Sequence, residues 1–237
     1  QGRDNRLWLY GIHTVMAAIA NPLRKKHRLA VTSVDHGLNA DELETEIISR
    51  QELDGLLPVG AVHQGMALLV SPLQEPNLDQ LLAKTQGNSL VVVLDQATDP
   101  QNIGAVLRSA AAFSADAVII PDRNTPNATG ALAKAASGAI DLVPLIRVTN
   151  LARTLKQLKA AEYWCAGLDA DAELTIAEAN LSGRTAMVLG AEGAGLRRLT
   201  RETCDFLVRI PTEGEIDSLN LSTAAAISFY ELRRATV

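Results

Sequence analysis

The sequence predicts an α/β protein: a parallel sheet covered on both faces, preceded by a smaller α/β part. Six short runs between residues 90 and 210 are apolar throughout rather than at every second position, as in strands buried on both faces. Ala-rich segments of helical period lie between several of them, the alternation that builds a parallel sheet. A hydrophobic fraction of 47% with 21% charged residues over 237 positions supplies a real core. Disordered and collagen-like classes are thereby excluded. No apolar run approaches the about 18 to 20 residues of a membrane span.

Taken in order, Tyr10 to Ala20 carries an apolar face at helical spacing, and Ala67 to Val70 reads as a strand. Two prolines in Ser71-Pro72-Leu73-Gln74-Glu75-Pro76-Asn77 then break the pattern, and Gly87-Asn88-Ser89 precedes the next apolar run. Breakers at this density mark a boundary. The expectation is a small domain over residues 1–75, a linker over 76–88 and a larger domain over 89–237. In the larger part, strands are predicted at Leu90–Leu94, Ala117–Ile120, Leu142–Ile146, Tyr163–Leu168, Ala186–Leu189 and Phe206–Ile210. Helices are predicted at Asn102–Phe113, Ala128–Ala136, Leu151–Ala161 and, strongly amphipathic, Leu221–Arg234. Ligands of such sheets bind beyond the carboxyl ends of the strands. The loops after Leu94, Leu189 and Ile210 are therefore the ones to read.

In the first loop, Asp95 to Gly104, Asp99-Pro100 favours a turn and Asn102 is a plausible helix N-cap. The following helix carries Arg108 among Ala105, Val106, Leu107, Ala110 and Ala111. Such an arginine either meets a carboxylate or phosphate or snorkels to the surface, and spacing leaves both readings open. The second loop, Gly190-Ala191-Glu192-Gly193-Ala194-Gly195, permits a tight turn and close backbone approach to a ligand. Its spacing is not that of a dinucleotide site, and no Walker lysine follows. The third loop, Ile210-Pro211 through Ser218-Leu219-Asn220, is uncharged at both ends; Ser218 or Asn220 would cap the last helix. Between them Thr212, Glu213, Glu215 and Asp217 make the stretch polar and acidic.

Charge alone decides nothing. The formal net charge of −5 argues against a large basic footprint. Two clusters, Arg24 to Arg28 and Arg197 to Arg201, are either solvated faces or phosphate contacts. The four histidines fall in the small part, and no metal-ligand spacing is present, so no metal is expected. Cys165 and Cys204 lie far apart and no secretory signal is visible, which predicts reduced thiols in a cytoplasmic protein.

Together and in this order, the three loops resemble the three motifs of the SpoU, or TrmH-type, RNA ribose 2′-O-methyltransferases of the SPOUT superfamily. The residues that carry this are Leu94-Asp95 with Asp99 to Arg108, then Val188 to Gly195, then Ile210-Pro211 with Ser218-Leu219-Asn220. In the small part, Tyr10 to His13 and His63-Gln64-Gly65 resemble the substrate-binding domain of the bacterial 23S rRNA guanosine methyltransferases. The resemblance implies a SPOUT domain with a C-terminal trefoil knot, a homodimer, S-adenosylmethionine as cofactor and RNA as substrate, ribosomal or alternatively transfer RNA. By motif position, Leu189, Gly190, Gly193, Ile210, Pro211, Ser218 and Leu219 would line the cofactor pocket. Asn102, Arg108, Glu192, Ser218 and Asn220 would form the polar catalytic group, with Arg108 gripping a phosphate and stabilising the developing alkoxide. The acidic third loop departs from the family pattern and keeps a weakly catalytic RNA-binding assembly factor as the alternative.

Overall fold

The computed structural model describes residues 6–33, 43–123, 132, 135–214 and 219–234, in two compact units. The first comprises the chain up to Gln74 together with the described residues from 132 to Leu142; the second comprises the remainder. Linear order alone places residues 132–142 in the larger domain; the fold places them in the first unit.

In the first unit, strands β1 (Leu7–Tyr10), β2 (Lys26–Val31), β3 (Thr45–Ile47) and β4 (Met66–Val70) form a sheet of order β1-β4-β2-β3. Helices α1 (Ile12–Ala20) and α2 (Arg50–Leu56) complete it. Thr14, Val15 and Ala18 are the buried stripe of α1, and Tyr10, Ala30, Leu53, Leu57 and Ala67 form a core cluster. Helix α1 starts after Gly11, which has no side chain to cap it; Gln64 Oε1 accepts from the Ile12 N–H at 3.2 Å instead. The two small-domain segments singled out in the sequence are thus hydrogen-bonded neighbours. His63 is buried, its Nδ1 accepts from the Gly65 N–H at 3.0 Å, and its Nε2 faces Asp54 Oδ1 at 3.1 Å.

Residues 135–142 join this unit by close approach and by charge. A Cβ on Gly138 (φ +88°) would lie 2.6 Å from Ala17 Cβ, so only glycine fits there. Asp141 accepts from Arg24 Nε at 2.8 Å and Nη2 at 2.9 Å, and from Asn21 Nδ2 at 2.9 Å. The first basic cluster is therefore partly consumed internally, since Arg28 also pairs with Glu46.

The second unit is a seven-stranded sheet of order β7-β6-β5-β10-β8-β11-β9, every neighbouring pair parallel. Its strands are β5 (Ser89–Leu94), β6 (Ala117–Pro121), β7 (Leu145–Val148), β8 (Trp164–Leu168), β9 (Leu174–Thr175), β10 (Arg184–Leu189) and β11 (Phe206–Arg209). The expected strand at Leu142–Ile146 starts later, because a 3-10 turn occupies Ala139–Asp141 and Leu142 is exposed. The helices are α3 (Leu78–Lys84), α4 (Pro100–Ala112), α5 (Leu151–Ala160), α6 (Arg198–Thr203) and α7 (Leu221–Arg234). Helix α3 occupies part of the stretch read as a linker, with Leu78 and Leu81 in the core. Most of the helix expected at Ala128–Ala136 lies outside the described residues.

Both faces of the sheet are covered, which explains the uniformly apolar strands. On one face Leu78, Leu81, Leu151, Leu155 and Leu158 pack on Val91, Val93, Ile119 and Val188. On the other, α4 packs against α7 and β6, and α7 against β10. Arg233 ties the two helices by donating to the carbonyls of Phe113 and Ser114 at 2.7 and 2.6 Å, where the carbonyls ending α4 need donors. Among the described residues no helix is long and apolar enough to cross a membrane.

Candidate active site

The chain leaves β5 toward β6 and leaves β10 toward β11, on opposite sides of the sheet, yet β5 and β10 are neighbours. Such a reversal opens a crevice beyond the strands' carboxyl ends. Leu94 and Leu189 are in register as the last residues of these strands, so the first and second loops start side by side. The third loop leaves β11, separated from β10 by β8 alone, about 10 Å across the sheet.

The three loops meet through side chains. Glu192 Oε1 accepts from Asn102 Nδ2 at 3.0 Å, from Asn220 Nδ2 at 2.7 Å and from the Leu221 N–H at 3.1 Å. Asn220 Nδ2 also reaches Asn102 Oδ1 at 3.2 Å. No described residue bonds Glu192 Oε2, which leaves a carboxylate oxygen for a ligand hydroxyl. Local structure explains each placement. Asp99, not Asn102, caps α4: its carboxylate accepts from the Gln101 N–H at 2.9 Å and Pro100 fills the first helical position. Asn102 therefore sits inside the first turn with its amide free for Glu192. Asn220 does cap α7, its Oδ1 accepting from the Ser222 N–H at 2.9 Å while its Nδ2 faces the cluster.

Glu192 is carried by a tightly closed turn. Ala191 and Gly195 exchange backbone bonds at 3.1 and 2.9 Å, and a Cβ on Gly190 would fall 2.1 Å from the Gly195 carbonyl carbon. No described residue comes within 4 Å of the Cβ position of Gly193 (φ +74°), so the described residues leave the outer side of the turn open to a ligand. Arg108 is exposed on α4 and makes no ion pair with a described residue. It stands about 120° round the helix from Asn102 and roughly 9 Å along it. Asn102 and Glu192 hold each other and Asn220, not Arg108. Leu189 is buried at the end of β10; Gly190 lies on the second loop, Ile210, Pro211 and Leu219 lie on the third, and Ser218 lies outside the described residues.

Two residues of this edge, Asp95 of the first motif and Arg197 of the second basic cluster, form a pair that their positions in the sequence do not reveal. Asp95, fully buried directly after β5, accepts from Arg197 Nε at 2.6 Å and from the Arg197 N–H at 3.0 Å. An acid ending an all-apolar strand was the available signal. Arg198 pairs with Glu202 and Arg201 with Asp169, so the second basic cluster is bound up in pairs as well.

Residues 89–230 match the family model of the SpoU rRNA Methylase family, and residues 8–76 match that of RNA 2'-O ribose methyltransferase substrate binding. The chain is 40% identical over 242 residues to the 23S rRNA (guanosine-2'-O-)-methyltransferase RlmB of Pseudomonas syringae pv. tomato, covering 95% of this chain and 94% of that one. It is 39% identical over 238 residues to RlmB of Escherichia coli K12, covering 95% and 97%. Among solved structures, the SpoU methyltransferase AviRb from Streptomyces viridochromogenes, in complex with the cofactor AdoMet, superposes with a TM-score of 0.84 over 99% of this chain and 91% of that one. At 22% identity that likeness concerns the fold. A crystal structure of an RNA 2'-O ribose methyltransferase gives a TM-score of 0.79 at 26% identity, covering 98% and 89%.

Proposed function

The chain belongs to the SpoU rRNA methylase family, and from that premise we propose that it transfers a methyl group from S-adenosylmethionine to the ribose 2′-hydroxyl of a guanosine in 23S rRNA. The observation that carries the reading is the Asn102–Glu192–Asn220 cluster, which joins all three motif loops at the crevice edge. The cofactor, when bound, supplies an electrophilic methyl group on a sulfonium. The open turn at Gly193, with Leu189, Gly190, Ile210, Pro211, Ser218 and Leu219, would hold it.

The protein's own contribution is alignment and charge. Glu192, held through Oε1, offers Oε2 to the ribose hydroxyl. Asn102 and Asn220 fix that carboxylate, and Ser218 belongs to the same third loop. Arg108, cationic and unpaired among the described residues, grips the phosphate beside the target and stabilises the developing alkoxide. A guanidinium stays protonated at neutral pH and does not serve as the base.

The protein works as a homodimer in the cytoplasm. Ile227 and Tyr230, exposed on one face of α7, support the first, and the free thiols Cys165 and Cys204 suit the second. The family's trefoil knot is part of this reading, supported by the insertion of β10 between β5 and β8 and the packing of α7 on α4. The test is methyl transfer from labelled S-adenosylmethionine to RNA from a strain lacking the gene, followed by nucleoside analysis. Label in 2′-O-methylguanosine of large-subunit RNA, lost with Arg108→Ala, is expected. Label in transfer RNA would replace the substrate, and cofactor binding without transfer to any RNA or ribosomal precursor would leave an assembly factor.

A further inference from the structure

We propose that the buried Asp95–Arg197 pair is a positioning device for the glycine-rich turn, and through it for cofactor binding; this rests on the methyltransferase reading above. Asp95 holds both feet of the turn. Its N–H donates to the Leu189 carbonyl at 2.7 Å, just before the turn begins. Its carboxylate accepts from the Arg197 N–H at 3.0 Å, just after the turn ends, and from the Arg197 guanidinium at 2.6 Å. One residue of the first loop thus spans the entry and exit of the second.

The chemistry of the pair makes the hold specific. The Asp95 side chain is fully buried, whereas the Arg197 side chain is 49% exposed. A buried carboxylate requires its counter-charge, so Asp95 cannot release Arg197 without leaving an uncompensated charge. Both Asp95 oxygens are engaged, one by the backbone and one by the guanidinium, which fixes direction as well as distance. The chain also turns sharply at once: Gln96 lies at φ +67°, so Asp95 marks where the first loop departs from the strand. Between the two feet, the Gly190–Gly195 approach leaves no slack. A shift of Arg197 therefore moves the turn that carries Glu192 and faces the ligand.

The experiment measures S-adenosylmethionine binding by calorimetry, turnover at saturating cofactor, and amide exchange, in the full chain and in Asp95→Asn and Arg197→Lys. The expected result is a dissociation constant raised about tenfold by lost preorganisation, with turnover at saturation changed less than about threefold, because bound cofactor restores the turn and Glu192 keeps its donors from Asn102, Asn220 and Leu221. Faster exchange at Ala191 and Gly195 should accompany it, with α4 amides unaltered. If Asp95→Asn fails to fold, Arg197→Lys decides, because its half-exposed side chain keeps the charge and loses only the fork. Wild-type affinity in a folded variant, with only thermal stability lowered, would overturn the inference alone. No binding by the wild-type protein would overturn the cofactor assignment and this inference with it.

Discussion

Glu192 divides its work between its two oxygens. Oε1 takes three donors from the first and third loops, while Oε2 has no bond from a described residue. Glutamine at this position keeps an acceptor of the same reach but turns the other oxygen into an NH2 donor. Glu192→Gln should therefore retain melting temperature and cofactor KM while turnover falls about a hundredfold, the scale of a lost catalytic acceptor. Steady-state kinetics beside a thermal melt separate the two, and normal turnover in the folded variant would show that Oε2 plays no part. The sequence made Glu192, Asn102 and Asn220 visible as candidates because polar residues at strand ends are conspicuous. It did not reveal their mutual bonds, which span sequence separations of 28 to 118 residues. Asn102 also looked like a helix cap, since Asn caps well; Asp99 before Pro100 caps better, and only the structure frees Asn102 for the site.

At the level of elements, legibility followed burial. Strands β5, β6 and β10 lie inside the sheet and read directly as continuous apolar runs. Strand β3 is three exposed residues, β9 only two, and β2 opens with Lys26-His27-Arg28, so none carried a pattern that periodicity can detect. Helix α3 is likewise short, although its capping box, Asn77 with Gln80, was present to be read. Helix α4 matters most for the site, because Asn102 lies in its first turn. Removing its cap by Asp99→Ala should cost about 1 kcal/mol. Fraying of that turn should also lower turnover, because Asn102 would no longer be held against Glu192. Urea unfolding of Asp99→Ala and Asp99→Asn tests this: asparagine caps as well as aspartate and should restore both stability and activity. A deficit shared by both variants would assign the effect to charge rather than capping.

Over the whole molecule, the fold class was readable but the strand order was not, because local patterns do not record which strands neighbour each other. The same core that brings β5 beside β10 also buries the thiol of Cys165 and partly buries that of Cys204, and their environment sets a pH limit. Cys165 lies on β8 and Cys204 at the end of α6, both free. Burial pushes each thiol up to about 12 from an ordinary value of 9.0; the other thiol adds to this for Cys165, and Asp205 for both. The folded protein therefore keeps protons that the unfolded chain loses between about pH 9 and 12. Stability is fully present below that window and falls as pH rises through it, by up to about 1.4 kcal/mol per pH unit for each thiol. The Lys159–Asp205 ion pair, which raises the Lys159 pKa, tilts stability the same way, so the slope alone does not identify the thiols. The comparison that does is urea unfolding from pH 8 to 10.5 in the native chain and in a Cys165→Ala, Cys204→Ala variant. The variant should be less stable at pH 8 but lose less with rising pH. Equal slopes would show that the thiols do not govern the alkaline limit.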